Sequence, residues 1–161
     1  MNKKIEKILN QQINNEYFSS YLYLSMAAFF DSMNLNGFSN WMKKQAQEEL
    51  AHTMKIFDFL AQRGARVILS SISSPQIKWN SPLNAFESAL AHEKKVTKQI
   101  HSIYELSKKE KDHATEILMQ WFVSEQVEEE DSAGKIVEKL KMIKDSKSGL
   151  LVLDKELSAR K

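Results

Sequence analysis

Cysteine is absent from the 161 residues, which removes disulfides, thiolate-bound zinc and a cysteine nucleophile. The absence suits a reducing cytoplasm. Helix breakers are scarce, with only 4 Gly and 2 Pro. Leu, Glu, Lys, Gln, Met and Ala are plentiful, so an all-helical chain is favoured before any pattern is read. There is no arginine-rich or lysine-rich tail. The 23 basic and 21 acidic residues are interspersed and leave a net charge of +2, so nucleic acid is not expected as a partner. Long apolar runs are missing too. YLYLSMAAFF falls well short of the ~20 residues that span a bilayer, and MNKKIEKILNQQINNE has the charge of a signal peptide without its apolar centre. These observations predict a soluble cytoplasmic protein without a membrane partner, built as one domain over residues 1–161 with 42% hydrophobic residues to form its core.

What the sequence has in abundance is amphipathic helix. From Lys4 to about Met33 apolar residues recur at intervals of three and four, through Ile5, Ile8, Leu9, Ile13, Tyr23, Met26, Ala27 and Phe30. NLNG, 34–37, is turn chemistry. A second periodic run extends from Phe38 to Arg63, with Gly64 as its C-terminal cap. Ser81 and Pro82 form an N-cap and first-turn pair for a third helix ending near Lys108. After the charged turn KKEKD comes a fourth helix from about His113 to Lys144, and SKSG precedes a short fifth from Leu150 to about Ala159. The segment 65–81 is long for a loop. Extended at roughly 3.3 Å per residue, it can cover the roughly 39 Å of a 26-residue helix and return the chain to the far end. The second and third helices would then run parallel, which predicts a four-helix bundle with one long crossover and a short appendage.

Polar residues interrupt the apolar stripes at one level. The first helix reads Leu9, Glu16, Tyr23, Phe30; the second Met42, Gln45, Glu49, His52, Ile56, Phe59; the third Phe86, Leu90, Glu93, Thr97, Ile100; the fourth Phe122, Gln126, Glu129, Ala133. Each helix offers at least one acid toward the core, near its midpoint. The two halves also repeat, because Glu16 to Glu93, Glu49 to Gln126 and His52 to Glu129 are all 77 residues apart. Four carboxylates and an imidazole inside a bundle lose several kcal/mol of hydration each if charged and unpaired, so cations must compensate them. An oxygen-rich donor set with one nitrogen and no sulfur suits iron or manganese, with zinc able to compete. Glu49 is placed to bridge two ions, with Glu16 and His52 on one side and Glu93 and Glu129 on the other.

At these residues the chain resembles the bacterial non-haem ferritins of the ferritin-like di-iron superfamily. QEELAH at 47–52, AHEK at 91–94, WFVSEQVEEE at 121–130 and SGLLVLDKEL at 148–157 match that family in order and spacing. The resemblance implies a ferroxidase centre, with Glu16, Glu49 and His52 at the first iron and Glu49, Glu93 and Glu129 at the second. Tyr23 and Gln126 would be close neighbours, Tyr23 as an electron or hydrogen-bond donor. It further implies a third iron site from Glu48, Glu125 and Glu128 with Glu129 shared. The short fifth helix would pack around the fourfold axes of a hollow 24-subunit homo-oligomer. Fe(II) would be oxidised there by O2 or H2O2 and stored as a ferric oxyhydroxide mineral. No haem is expected, since Leu50 stands where bacterioferritins carry a haem-ligating methionine. Gln126-x-x-Glu129 likewise stands where bacterioferritins and rubrerythrins carry a second Glu-x-x-His.

Blander roles are expected for the rest. His92, His101 and His113 read as surface or ordinary helix histidines, Glu130 as surface, and Trp121 as core. A rubrerythrin-type di-iron peroxidase or oxygenase acting on an organic substrate is the alternative enzyme. A metal-free helical bundle and a DNA-protecting mini-ferritin are the other rivals, the last disfavoured by the absence of a basic N-terminal tail.

Overall fold

The computed structural model describes residues 1–161, which form five helices and no strand. They are α1 (Lys3–Ser32), α2 (Asn36–Gln62), α3 (Pro82–Lys109), α4 (His113–Ile143) and α5 (Lys147–Leu157). Four of them start at a side-chain cap that satisfies an otherwise orphaned backbone N–H. Asn2 accepts from Lys4, Ser81 from Asn84, Asp112 from Thr115 and Ser146 from Gly149. The cap of α2 comes from elsewhere: Asp154 of α5 accepts from the backbone N–H groups of Gly37 and Phe38 at 2.8 and 3.0 Å.

Contacts at the helix ends fix the topology. Lys4, at the start of α1, pairs with Glu110 beyond the end of α3 at 2.8 Å, so α1 and α3 are antiparallel. The rings of Phe38 and Phe86, which open α2 and α3, lie 5.9 Å apart. These two helices therefore run parallel, as the long crossover requires. That crossover, 63–81, follows α1 along its length. Asn10 holds it at Arg66 and Ile68, and Ser25 holds it at Gln76. Trp79 is buried against Phe29 near the far end, while Ile68, Leu69 and Ile77 point outward.

The core is divided into two apolar layers. One contains Ile5, Leu9, Ile13, Ile56, Leu60, Ile100 and Phe122; the other contains Met26, Phe30, Phe38, Trp41, Met42, Phe86 and Leu140. Along every long helix the residues between these layers are polar and buried: Glu16, Glu49 and His52, Glu93, Gln126 and Glu129. The fold thus carries one polar stratum between two layers of hydrocarbon, which sets where the chemistry lies.

Several sequence expectations shift. Helix α2 begins at Asn36, so Gly37 is not a turn residue but part of the first helical turn, where a Cβ would lie 1.6 Å from the carbonyl oxygen of Asp154. Helix α5 begins at Lys147, ahead of Leu150, because Ser146 caps it. Trp121 is 38% exposed, since it stands beside the core stripe Phe122–Gln126–Glu129 and not on it. Glu130 is not free surface: it is half-buried and accepts from Thr97 Oγ1 at 2.7 Å. Gly64 does end α2 in the left-handed region, with φ of 68°.

Candidate metal centre

Every long helix contributes to the polar stratum because each carries its acid in phase with the apolar stripe. Helix α1 supplies Glu16 and Tyr23, α2 supplies Glu49 and His52 one turn apart, α3 supplies Glu93, and α4 supplies Gln126 and Glu129. All seven are buried. Three groups of ligand atoms approach within 4.8 Å of one another: Glu16, Glu49 and His52; Glu49, Glu93 and Glu129; and His52, Glu125 and Glu129. Glu49 belongs to both of the first two groups, at the junction of the two hairpins.

Hydrogen bonds orient these groups. Tyr23 donates its hydroxyl to Glu93. Gln126 Nε2 donates to the side chain and carbonyl of Glu93 and to Thr97, each at 3.2 Å. Two glutamines not anticipated as site residues do similar work. Gln12 donates to Glu16 at 2.7 Å, and Gln45 donates to Glu129 at 2.5 Å and to Glu49 at 3.2 Å. Each glutamine precedes its glutamate by four residues on the same helix, which is the sequence signal that would have found them. His52 Nδ1 lies 3.3 Å from Glu49 Oε2.

The cluster is electrostatically frustrated. No lysine or arginine pairs with Glu16, Glu49, Glu93 or Glu129, and His52 is the one basic group in contact. Burial pushes Glu16 well above the usual carboxylate range, with the charge of Glu49 adding to it. Glu49 is raised by burial and then by Glu93 and Glu129. Glu93 is raised by burial, against the opposing hydrogen bonds of Tyr23 and Gln126. Burial, followed by the charge of Glu93, moves Glu129 to about 8. Tyr23 is likewise held well above its ordinary value, by burial and then by Glu93 and Glu49. Glu16 Oε2 is buried with no hydrogen-bond partner at all. An orphaned carboxylate oxygen beside a histidine and a second carboxylate fits a bound cation, which would both fill its coordination and neutralise its neighbours.

The remaining predicted positions separate. Glu125 reaches the cluster, 3.6 Å from His52 Nε2. Glu48 and Glu128 are exposed and stand in none of the three groups. Glu48 is bound instead by Arg160 at 2.6 Å. His101 and His113 are exposed. His92 is half-buried, shares a 2.8 Å hydrogen bond with Ser19, and is lowered to about 4, by burial and then by Lys95. Trp121 packs edge-on to His52 with ring centroids 5.5 Å apart.

A crossover four-helix bundle with two overlapping carboxylate-rich groups at mid-height defines the ferritin-like class of metal proteins. The chain belongs to that family: residues 6–143 match the ferritin-like domain of the ferritins. It is 38% identical over 160 residues to a bacterial non-heme ferritin of Staphylococcus epidermidis, covering 99% of this chain and 96% of the relative. A bacterial non-heme ferritin of Staphylococcus aureus is 36% identical over the same coverage. Among solved structures, the open-pore ferritin of the hyperthermophilic archaeon Archaeoglobus fulgidus superposes with a TM-score of 0.99 at 55% identity, covering 100% of this chain and 99% of that one. An engineered closed form of the same archaeal ferritin also gives 0.99 at 55% identity, over 100% and 98% of the two chains.

Proposed function

We propose that this protein is an iron-storage ferritin in which Fe(II) is the substrate of a ferroxidase centre. The observation that carries the proposal is the sharing of Glu49 between two buried ligand groups, which suits a pair of ions held at bridging distance. Glu16 and His52 complete the first position, and Glu93 and Glu129 the second. Entry of two dications displaces the protons that burial imposes on these acids, so the cluster that is frustrated alone becomes neutralised when loaded. The metals give up the electrons, O2 or H2O2 accepts them, and the protein supplies placement and charge compensation.

Hydrogen bonds from Tyr23 and Gln126 hold Glu93, and those from Gln45 hold Glu49 and Glu129. Tyr23 would serve the centre as an electron or hydrogen-bond donor. Carboxylate coordination is weak enough for ferric product to leave, as storage requires. Glu125, within reach of His52 and Glu129, would form the next position on the route to a ferric oxyhydroxide mineral. Glu48 and Glu128 would join it only by turning inward. The reading extends to a soluble cytoplasmic homo-oligomer of 24 subunits without haem, since Leu50 offers no ligand atom and is 43% exposed.

The test is aerobic addition of Fe(II) to the purified protein, followed optically for ferric product and by electron microscopy for filled spherical cores. Rapid oxidation and electron-dense cores are expected. A protein that neither accelerates oxidation nor retains iron would end this reading, and an assembly of a few subunits that oxidises an organic substrate would replace it with a rubrerythrin-type activity.

A further inference from the structure

Beyond the ligands, one arginine outside the bundle contacts the same cluster indirectly. Arg160 follows α5 and lies over the indole of Trp41, with its guanidinium carbon 4.3 Å from the ring centroid. Its Nη1 donates to the carbonyl of Trp41 at 3.1 Å, and its Nη2 donates to Gln45 Oε1 at 2.9 Å and to Glu48 Oε2 at 2.6 Å. Its own carbonyl accepts from Asn40 at 3.2 Å. The side chain is only 20% exposed, so it is a packed group and not a loose surface charge.

Gln45 is fully buried, and its amide has two ends that are not equivalent. The oxygen faces Arg160; the nitrogen faces Glu129 and Glu49. A guanidinium can only donate, and the carboxylates of a metal-loaded centre, being ionised, can only accept, so both ends are satisfied in this orientation and both are violated in the flipped one. Without Arg160, the flip loses one of these two constraints and the amide oxygen is left buried without a donor.

We infer that Arg160 is a positioning residue for the metal centre, orienting the Gln45 amide so that its two hydrogens hold Glu49 and Glu129, the shared ligand and its neighbour. The same guanidinium holds Glu48 outside the ligand groups, so the segment after α5 shapes both the pair of positions and the approach beside them. This inference rests on the ferroxidase reading and adds to it a residue from outside the four long helices.

The test uses the assembled protein and compares wild type with Arg160→Met, which keeps the aliphatic stem over Trp41, and with Arg160→Lys, which keeps a donor. Gln45→Met and the Arg160→Met/Gln45→Met double variant complete a cycle. Co(II) titration followed by visible absorption reads ligand geometry and affinity without turnover, and Fe(II) oxidation gives KM and kcat separately. Arg160→Met is expected to weaken Co(II) binding about 5- to 10-fold, the scale of one ordinary net hydrogen bond felt through Gln45, and to raise KM more than it lowers kcat. Arg160→Lys should recover part of the loss, and Arg160→Met should add nothing once Gln45 is replaced. Unchanged Co(II) binding in Arg160→Met, or an equal loss with and without Gln45, overturns the inference. If the double cycle fails to assemble, the Met and Lys variants at Arg160 still decide it: identical behaviour in both excludes a role for the donor. Failure of wild type itself to bind Co(II) or oxidise Fe(II) removes the ferroxidase reading, and the inference with it.

Discussion

Tyr23 on α1 donates its hydroxyl hydrogen to Glu93 on α3, so the two hairpins are joined by a hydrogen bond at the level of the ligand groups. The phenol supports Glu93 in its charged form, against the burial that favours the neutral one. Tyr23→Phe removes this support while preserving the ring that packs beneath it. Metal binding at the Glu93 side is then expected to weaken by about tenfold, in line with the loss of a hydrogen bond to a charged group, with assembly unaffected. Co(II) titration beside size-exclusion chromatography measures both, and equal affinity for the two proteins would show that the phenol does not support the ligand.

Glu49 has the opposite balance between function and stability. It is buried among other acids, and its ionisation is opposed by burial and by Glu93 and Glu129. Glu49→Gln keeps the volume and an acceptor for Gln45 while removing the charge. Metal-free protein at pH 8 should therefore gain about 1 kcal/mol, or roughly 2–4 °C in Tm. Iron oxidation should fall about 100-fold or more, equivalent to ~2.7 kcal/mol or above, because neither position retains its shared ligand. A stopped-flow trace as fast as wild type would show that Glu49 is not the shared ligand.

The frame of this site was legible in the sequence because it is written in local periodicity. Each of Glu16, Glu49, His52, Glu93 and Glu129 falls in phase with apolar neighbours on its own helix, and the 77-residue repeat links the hairpins without any three-dimensional information. What the sequence concealed depends on contacts between distant segments. Arg160 meets Gln45 across 115 positions, and Asp154 caps α2 across 117, and no helical period encodes either. Glu48 and Glu128, implied at a third position by the family resemblance, are exposed and join none of the three ligand groups. The neighbouring Gln12 and Gln45 were visible four residues before Glu16 and Glu49, but the chemistry of a neutral amide does not by itself announce a role.

The raised carboxyls make metal-free stability depend on pH in an unusual direction. Glu129 titrates near 8 in the folded protein against an ordinary value of 4.5, so between these limits the folded state binds more protons than the unfolded one. Stability is then greatest at the low end of that window and declines as pH rises through it. Glu16, Glu49 and Glu93 are shifted in the same direction. Chelator-treated protein should show a lower Tm at pH 8 than at pH 5.5, and Zn(II) or Co(II) should restore more at pH 8, where fewer protons compete. Calorimetry across this range provides the measurement. A Tm that climbs steadily from pH 5.5 to 8 without metal would contradict the buried, uncompensated state of the cluster.

Gly37 ties the first turn of α2 to α5 through backbone packing. A methyl group at this position would sit 1.6 Å from the Asp154 carbonyl oxygen, and neither that backbone nor the first turn of α2 can yield by such a distance while the Asp154 carboxylate still accepts from Gly37 and Phe38. Gly37→Ala must therefore push α5 away, losing the cap and the burial of Leu153 and Leu157. The combined loss of a cap and of local packing is about 2–4 kcal/mol. Asp154→Asn, which keeps the geometry and one acceptor, should cost under ~1 kcal/mol. Hydrogen exchange should show the amides of 147–160 losing protection in Gly37→Ala. Since Arg160 follows α5, metal affinity should fall in the same variant. Full protection of α5 together with an unchanged Tm would mean that the close approach of these two backbones is not what the glycine serves.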